Sequence, residues 1–168
     1  MSLVLDASMT LAWIFDRTDP EEKVLADQLL DTLTAQAALV PVLWYTEAAN
    51  ALLVAERRGV AREAQVIDYL HRLSRLPIVT DDASVSARQE SVMALGREHR
   101  LSAYDAIYLD LALRTGSVLA SFDAKLLTAT RTAGGAIFGH HDPERTRYPE
   151  LAGGQAKCSP RVTGMLVG

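Results

Sequence analysis

Short apolar runs with no polar face alternate along this chain with longer stretches whose apolar positions recur at helical spacing. The first run, Leu3-Val4-Leu5, predicts a strand over 3–6, buried on both sides and closed by Asp6. A short helix is expected over 8–16. Another follows over 20–35, with Pro20 in its first turn and Val24, Leu25, Leu29 and Leu30 on one face. A second strand is expected over 38–43, where Pro41 marks an end or a distortion. Helices over 44–58 and 62–73 are parted by Gly59, and a third strand spans 76–80. Helices over 83–99 and 102–114 come next, the second ending at Gly116. A fourth strand over 118–122, a helix over 124–132 and a short fifth strand over 136–138 complete the pattern. Parallel strands need crossovers, so this alternation predicts an α/β domain whose parallel sheet is covered on both faces. From 139 to 168 the chain turns rich in Gly, Pro and charge and loses any period, which predicts a C-terminal tail, poorly ordered or draped on the domain.

Four acids stand where apolar segments end or helices begin: Asp6, Glu47, Asp105 and Asp123. In a parallel sheet, ligands gather at the carboxyl ends of strands, and Asp6 and Asp123 fall at two such ends. Each acid alone has an ordinary explanation. Asp6 serves the turn into the next helix, with Ser8 capping; Asp123 is an N-cap; and Ser102-Ala-Tyr-Asp105 reads as a capping box. Glu47 fits such explanations less well, because Trp44, Ala48, Ala51, Leu52 and Ala55 form the apolar stripe of its helix and Glu47 lies against it. The helix of Asp105 is apolar nearly all round, so its carboxylate is expected to be buried and to need a partner or a metal. Asp110 is expected to meet solvent or a basic neighbour. Jointly, carboxylates far apart in sequence and gathered at element ends suit a divalent-metal site. Oxygen-only ligands favour Mg²⁺ or Mn²⁺ over zinc.

The 168 residues, 49% of them hydrophobic, suffice for one domain with a substantial core. No basic segment precedes a long apolar one, so no signal peptide is expected, and the apolar stretch 37–45 is too short to span a bilayer. A lone Cys158 fits a reducing compartment, and a cytoplasmic location is expected. A net charge of −4 counts against a standing nucleic-acid surface, unless bound metal reverses the sign of the cleft. Arg57, Arg58, Arg114 and Lys125 are candidate backbone contacts that otherwise read as solvated helix surface. No Walker loop, nucleophile elbow, GxGxxG or CxxC pair is present, and His71, His99 and His140-His141 add little.

Four segments, in order, carry a resemblance: Leu3-Val-Leu-Asp6-Ala-Ser8, Glu47-Ala-Ala-Asn50-Ala-Leu, Leu101-Ser-Ala-Tyr-Asp105-Ala-Ile-Tyr108 and Leu119-Ala-Ser121-Phe-Asp123-Ala-Lys-Leu. Over residues 1–138 the chain resembles PIN-domain ribonucleases, and most of all the VapC toxins of type II toxin–antitoxin systems. The resemblance implies a three-layer α/β/α fold with a parallel five-stranded sheet. It implies Asp6, Asp105 and Asp123 as metal-binding acids, with Glu47 completing a catalytic site and Ser8, Asn50 and Ser121 supporting it. It further implies a Mg²⁺- or Mn²⁺-dependent endoribonuclease leaving 5′-phosphate and 3′-hydroxyl ends, acting on an RNA such as a tRNA or rRNA. A cognate antitoxin would neutralise it, and a homodimer is the usual assembly. Phe122 departs from the pattern, which commonly has a small polar residue before the last acid.

Competing classes are a PIN domain kept only as a binding module and a phosphoaspartyl or receiver-type α/β domain. Retention of all four acids argues against the first. Against the second, Ser8 stands where a dehalogenase-type signature needs an acid, and Ala136-Ile-Phe-Gly139 lacks a receiver's lysine.

Overall fold

The computed structural model describes residues 2–15 and 19–139. Five short parallel strands form one sheet: β1 (Leu3–Leu5), β2 (Ala38–Val40), β3 (Ile78–Thr80), β4 (Val118–Ala120) and β5 (Ala136–Ile137), in the order β3-β2-β1-β4-β5. β1 is central, and all three of its residues are buried. Leu3 pairs with Ala38 on one side and Val118 on the other, and Leu5 pairs with Ala120. Among the described residues, seven helices connect and cover the strands: α1 (Ala7–Leu11), α2 (Pro20–Leu33), α3 (Leu43–Arg57), α4 (Glu63–Leu73), α5 (Val85–His99), α6 (Ala103–Thr115) and α7 (Ala124–Thr132). The architecture is the expected three-layer α/β/α fold.

Local chemistry sets the boundaries. Asp19 caps α2 by accepting from the Glu21 N–H at 2.9 Å, and Pro20 takes the first helical position, where a missing N–H costs nothing. α6 stops at Gly116, whose φ of 62° is left-handed. The strands are shorter than the apolar runs suggested. β2 ends at Val40 because Pro41 cannot donate to a ladder; its carbonyl instead accepts from Trp44 N–H at 3.0 Å and opens α3. β4 ends at Ala120, and the hydroxyl of Ser121, the residue that follows, bonds Asp6. The expected end of the first helix, Asp16, and the tail from 140 to 168 lie outside the described residues.

Leu3, Val4, Leu5, Met9, Leu29, Trp44, Leu109, Leu119 and Leu126 pack the core around β1. A buried polar node sits within it. Thr10 donates to the Asp6 carbonyl at 3.2 Å, accepts from Trp44 Nε1 at 3.3 Å, and offers its own carbonyl to Tyr69 Oη at 2.9 Å. Thus α1, α3 and α4 are tied to the end of the central strand.

Asp110 forms a second buried polar centre. Arg88 grips it as a fork, with Nε on Oδ2 at 3.0 Å and Nη2 on Oδ1 at 2.5 Å; Ser91 donates to Oδ1, and Arg114 lies 3.6 Å away while also pairing with Asp81. The basic neighbour expected for Asp110 is therefore present twice, and it clamps α5 to α6. Burial works to raise the Asp110 pKa, but the Arg88 and Ser91 hydrogen bonds and both guanidinium charges outweigh it and hold the carboxyl below its ordinary value. A depressed folded pKa stabilises the fold above the ordinary carboxylate range, and that contribution is lost as pH falls through the folded value. Asp110→Ala should cost about 2 kcal/mol near neutrality, at the low end for a broken buried pair because Arg88 is partly exposed. Chemical denaturation should show the loss shrinking as pH falls below the ordinary carboxylate range.

Candidate active site

The carboxyl ends of β1 and β4 lie side by side, and Asp6 follows β1 directly. Its backbone N–H continues the ladder to the Ala120 carbonyl at 3.0 Å. Its side chain is buried, at 8% exposure, with no cation from the described residues beside it. Two hydroxyls compensate: Ser8 Oγ donates to Asp6 Oδ2 at 2.5 Å and Ser121 Oγ donates to the same oxygen at 2.6 Å. Those serines are themselves held, because Ser8 Oγ accepts from Phe122 N–H and Ser121 Oγ accepts from Asp123 N–H, each at 2.9 Å. Backbone of the β4–α7 turn thereby fixes the hydroxyls that fix Asp6.

Glu47 falls in the second turn of α3, because that helix begins at Leu43, and it is half-buried as its place beside the apolar stripe predicted. Tyr108 Oη donates to Glu47 Oε2 at 2.5 Å. Tyr108 is 1% exposed and lies one turn beyond Asp105 on α6. Sequence reasoning quoted this tyrosine within a motif without giving it a role; its i, i+3 spacing from Asp105 was the available signal. Asp105 is partly exposed, where a buried carboxylate was expected. Apolar positions do surround α6, but Asp105 sits in its first turn, at the end of the cylinder, where Ser102 Oγ donates to Asp105 Oδ2 at 2.7 Å and accepts from Asp105 N–H at 3.1 Å. Asp123 caps α7, its Oδ1 accepting from Leu126 N–H at 2.8 Å. Asp123 is thus the N-cap it was expected to be; at α6 the cap is Ser102, and the expected capping box is half formed, because Asp105 bonds the Ser102 hydroxyl and not its backbone N–H. These roles do not compete with an acidic site, since helix N-termini favour negative charge. Asn50 is exposed on α3.

The acids sense one another. Burial raises the Glu47 pKa; the Tyr108 hydrogen bond opposes this, and the charges of Asp6 and Asp105 add to the rise. Burial likewise raises the Asp6 pKa, with Ser121 and Ser8 offsetting part of it. Burial and the Glu47 contact push Tyr108 far above its ordinary range, so it remains a hydrogen-bond donor.

A PIN-domain family model matches residues 3–131. The chain belongs to the PIN-domain family. The solved structure titled "Crystal structure of PAE2754 from Pyrobaculum aerophilum" is similar, with a TM-score of 0.59 and 26% sequence identity over 82% of this chain and 83% of that one. No curated protein sequence matches the chain. PIN domains are generally nucleases, and membership sets aside the receiver-type alternative.

PIN domains usually use Mg²⁺ or Mn²⁺, and the donor chemistry here fits such an ion: carboxylate oxygens from Asp6, Glu47, Asp105 and Asp123, with no thiolate or imidazole among them. Among the described residues, however, no three His, Cys, Asp or Glu side chains are gathered tightly enough to hold a metal. Each acid is instead engaged by a hydroxyl or an N–H.

For a carboxyl whose folded pKa is raised, stability is greatest below the ordinary value and falls as pH rises through the folded value. In chelator, Asp6→Asn should therefore be more stable than the native protein at pH 7 by about 1 kcal/mol. Denaturant titrations at several pH values should show that advantage disappearing under acid conditions.

Proposed function

We propose that this PIN-domain protein is a Mg²⁺- or Mn²⁺-dependent endoribonuclease of the VapC toxin type. The observation that supports this reading best is Asp6: a carboxylate buried at the end of the central strand, compensated by hydroxyls and backbone N–H groups but by no cation among the described residues, and close enough to Glu47 for their charges to interact. Such a group is costly unless a cation or a reaction uses it.

Asp6, Glu47, Asp105 and Asp123 would hold the ion. When bound, it would offset the repulsion among the acids, polarise a phosphodiester and make water a better nucleophile. The chain's own residues set the geometry. Ser8 and Ser121 prevent the Asp6 carboxylate from turning, and Tyr108 fixes one oxygen of Glu47. Water oxygen forms the new bond to phosphorus while the bond to the 3′ oxygen breaks, and a proton passes to that oxygen. The products are a 5′-phosphate and a 3′-hydroxyl, and the ribose 2′-hydroxyl takes no part.

The toxin reading adds a cognate antitoxin covering the acidic cleft, a homodimer and a cytoplasmic setting. An acidic chain with a net charge of −4 is electrostatically suited to a partner that inserts a basic side chain there. Among the described residues, no helix is long and apolar enough to cross a membrane. On this reading the nuclease domain ends near residue 138.

Expression of native protein and Asp105→Asn in a bacterial host, followed by mapping of RNA 5′ ends, tests the proposal. New 5′-phosphate ends at a few positions are expected only with the native protein; cyclic phosphate ends, or identical patterns from both proteins, would contradict it. With purified protein and a cleaved RNA, Ser121→Ala should slow cleavage about tenfold, as loss of a supporting hydrogen bond does at metal sites.

A further inference from the structure

A groove of about 520 Å³ lies between the C-terminal end of α5 and the exposed side of α7, lined by His99, Arg100, Lys125, Thr128 and Thr132 together with Ala124 and Ala129. No acid is among its lining residues, in a chain whose net charge is −4. Among the described residues, Arg100 and Lys125 have no ion-pair partner. Along the chain, the groove's two cations are near neighbours of two of the candidate site acids. Arg100 precedes Asp105 by five residues, and Lys125 follows Asp123 by two.

Arg100 carries a second, independent signal. It closes α5 in the left-handed conformation, with φ of 55°, and is the one non-glycine residue with positive φ among those described. Helix α6 meets the same requirement with Gly116, the residue that adopts this geometry freely. An arginine at such a site opposes backbone preference. Neutralising the helix end does not require it, since Arg97 and His99 already lie in the last turn.

The hydroxyls favour ribose. Thr128 Oγ1 donates to the Ala124 carbonyl at 2.8 Å and Thr132 Oγ1 donates to the Thr128 carbonyl at 3.0 Å. Their protons are committed to the helix, which leaves oxygen lone pairs as acceptors for a 2′-hydroxyl.

We infer that the α5–α7 groove binds the sugar–phosphate backbone of the RNA strand, with Arg100 and Lys125 on phosphates and Thr128 and Thr132 on ribose, beside the acidic cleft. This rests on the ribonuclease reading of that cleft and adds the path by which the substrate reaches it. Arg100 and Lys125 are binding residues, and the phosphate contacts carry no sequence preference.

Fluorescence anisotropy of a labelled single-stranded RNA, in chelator so that nothing is cleaved, tests the assignment on the full chain. Arg100→Gly and Lys125→Gln should each weaken binding about fivefold at low salt and reduce the slope of log affinity against log salt by about 0.7. Lys23→Gln, an exposed cation on α2 outside the groove, should change neither. Arg100→Gly should melt at the native temperature or above, because glycine relieves the left-handed backbone, so reduced binding cannot be ascribed to unfolding. The matching DNA strand should bind more weakly than RNA, and equal affinity would overturn the ribose contacts. Groove variants that bind like Lys23→Gln while the native protein binds RNA would overturn the groove and leave the nuclease reading intact. Native protein that neither binds nor cuts RNA would remove both. Polyglutamate that binds as tightly as RNA and is lost in the same variants would mark an acidic protein segment as the occupant, and overturn the assignment to RNA.

Discussion

A carboxylate buried at the end of the central strand is the constraint on which this structure turns. β1 is covered by β2 and β4 in the sheet and by helices around it, so Asp6 enters the core's edge with little water to solvate it. Its charge is tolerable only if donors are already in place. Ser121 is in place because Leu5 pairs with Ala120, which puts the residue that follows β4 beside the residue that follows β1. Ser8 is in place because α1 begins immediately after Asp6. Strand register, helix start and the β4–α7 turn are therefore one unit, and a slip in any of them would strand the acid.

Two buried aspartates among the described residues make the contrast plain. Asp110 is surrounded by Arg88, Arg114 and Ser91, and its pKa is depressed; it belongs to the scaffold and joins α5 to α6. Asp6 has hydroxyls and backbone N–H groups but no cation among the described residues, and its pKa is raised. An acid fully compensated by the protein is finished as a structural part. An acid left without a cationic partner at a strand's carboxyl end is the kind of group that the proposed metal-dependent reading puts to use. Glu47, raised by burial and by two neighbouring acids, is of the second kind.

Much of this was legible in the amino-acid sequence. Every expected strand and helix exists in order, because short apolar runs and amphipathic helices leave different periods; β3, at the sheet's edge, is the strand whose residues are largely exposed. Boundaries were less legible: β2 stops before Pro41, which lacks a ladder donor, and β4 stops before Ser121, ends that apolar patterning does not record. Among the candidate site residues, the placement of Glu47 against an apolar stripe was readable, and its half-buried position follows. The expected burial of Asp105 was not met, since a helix apolar all round still exposes its first turn. Tyr108 was hidden because a buried aromatic on an apolar helix looks like core, and only the fold shows its hydroxyl reaching α3. The Arg88–Asp110 clamp was legible only as the expectation of a basic neighbour, because its partner lies 22 residues away on another helix.

Calorimetric titration of Mn²⁺ into the metal-free protein, with Asp6→Asn alongside, tests the central claim most directly. The account predicts a saturable site in the native protein whose affinity falls at least tenfold in Asp6→Asn, with proton release as the raised carboxyls ionise. Equal binding by both proteins, or none by the native chain, would contradict the assignment of Asp6 to a metal centre.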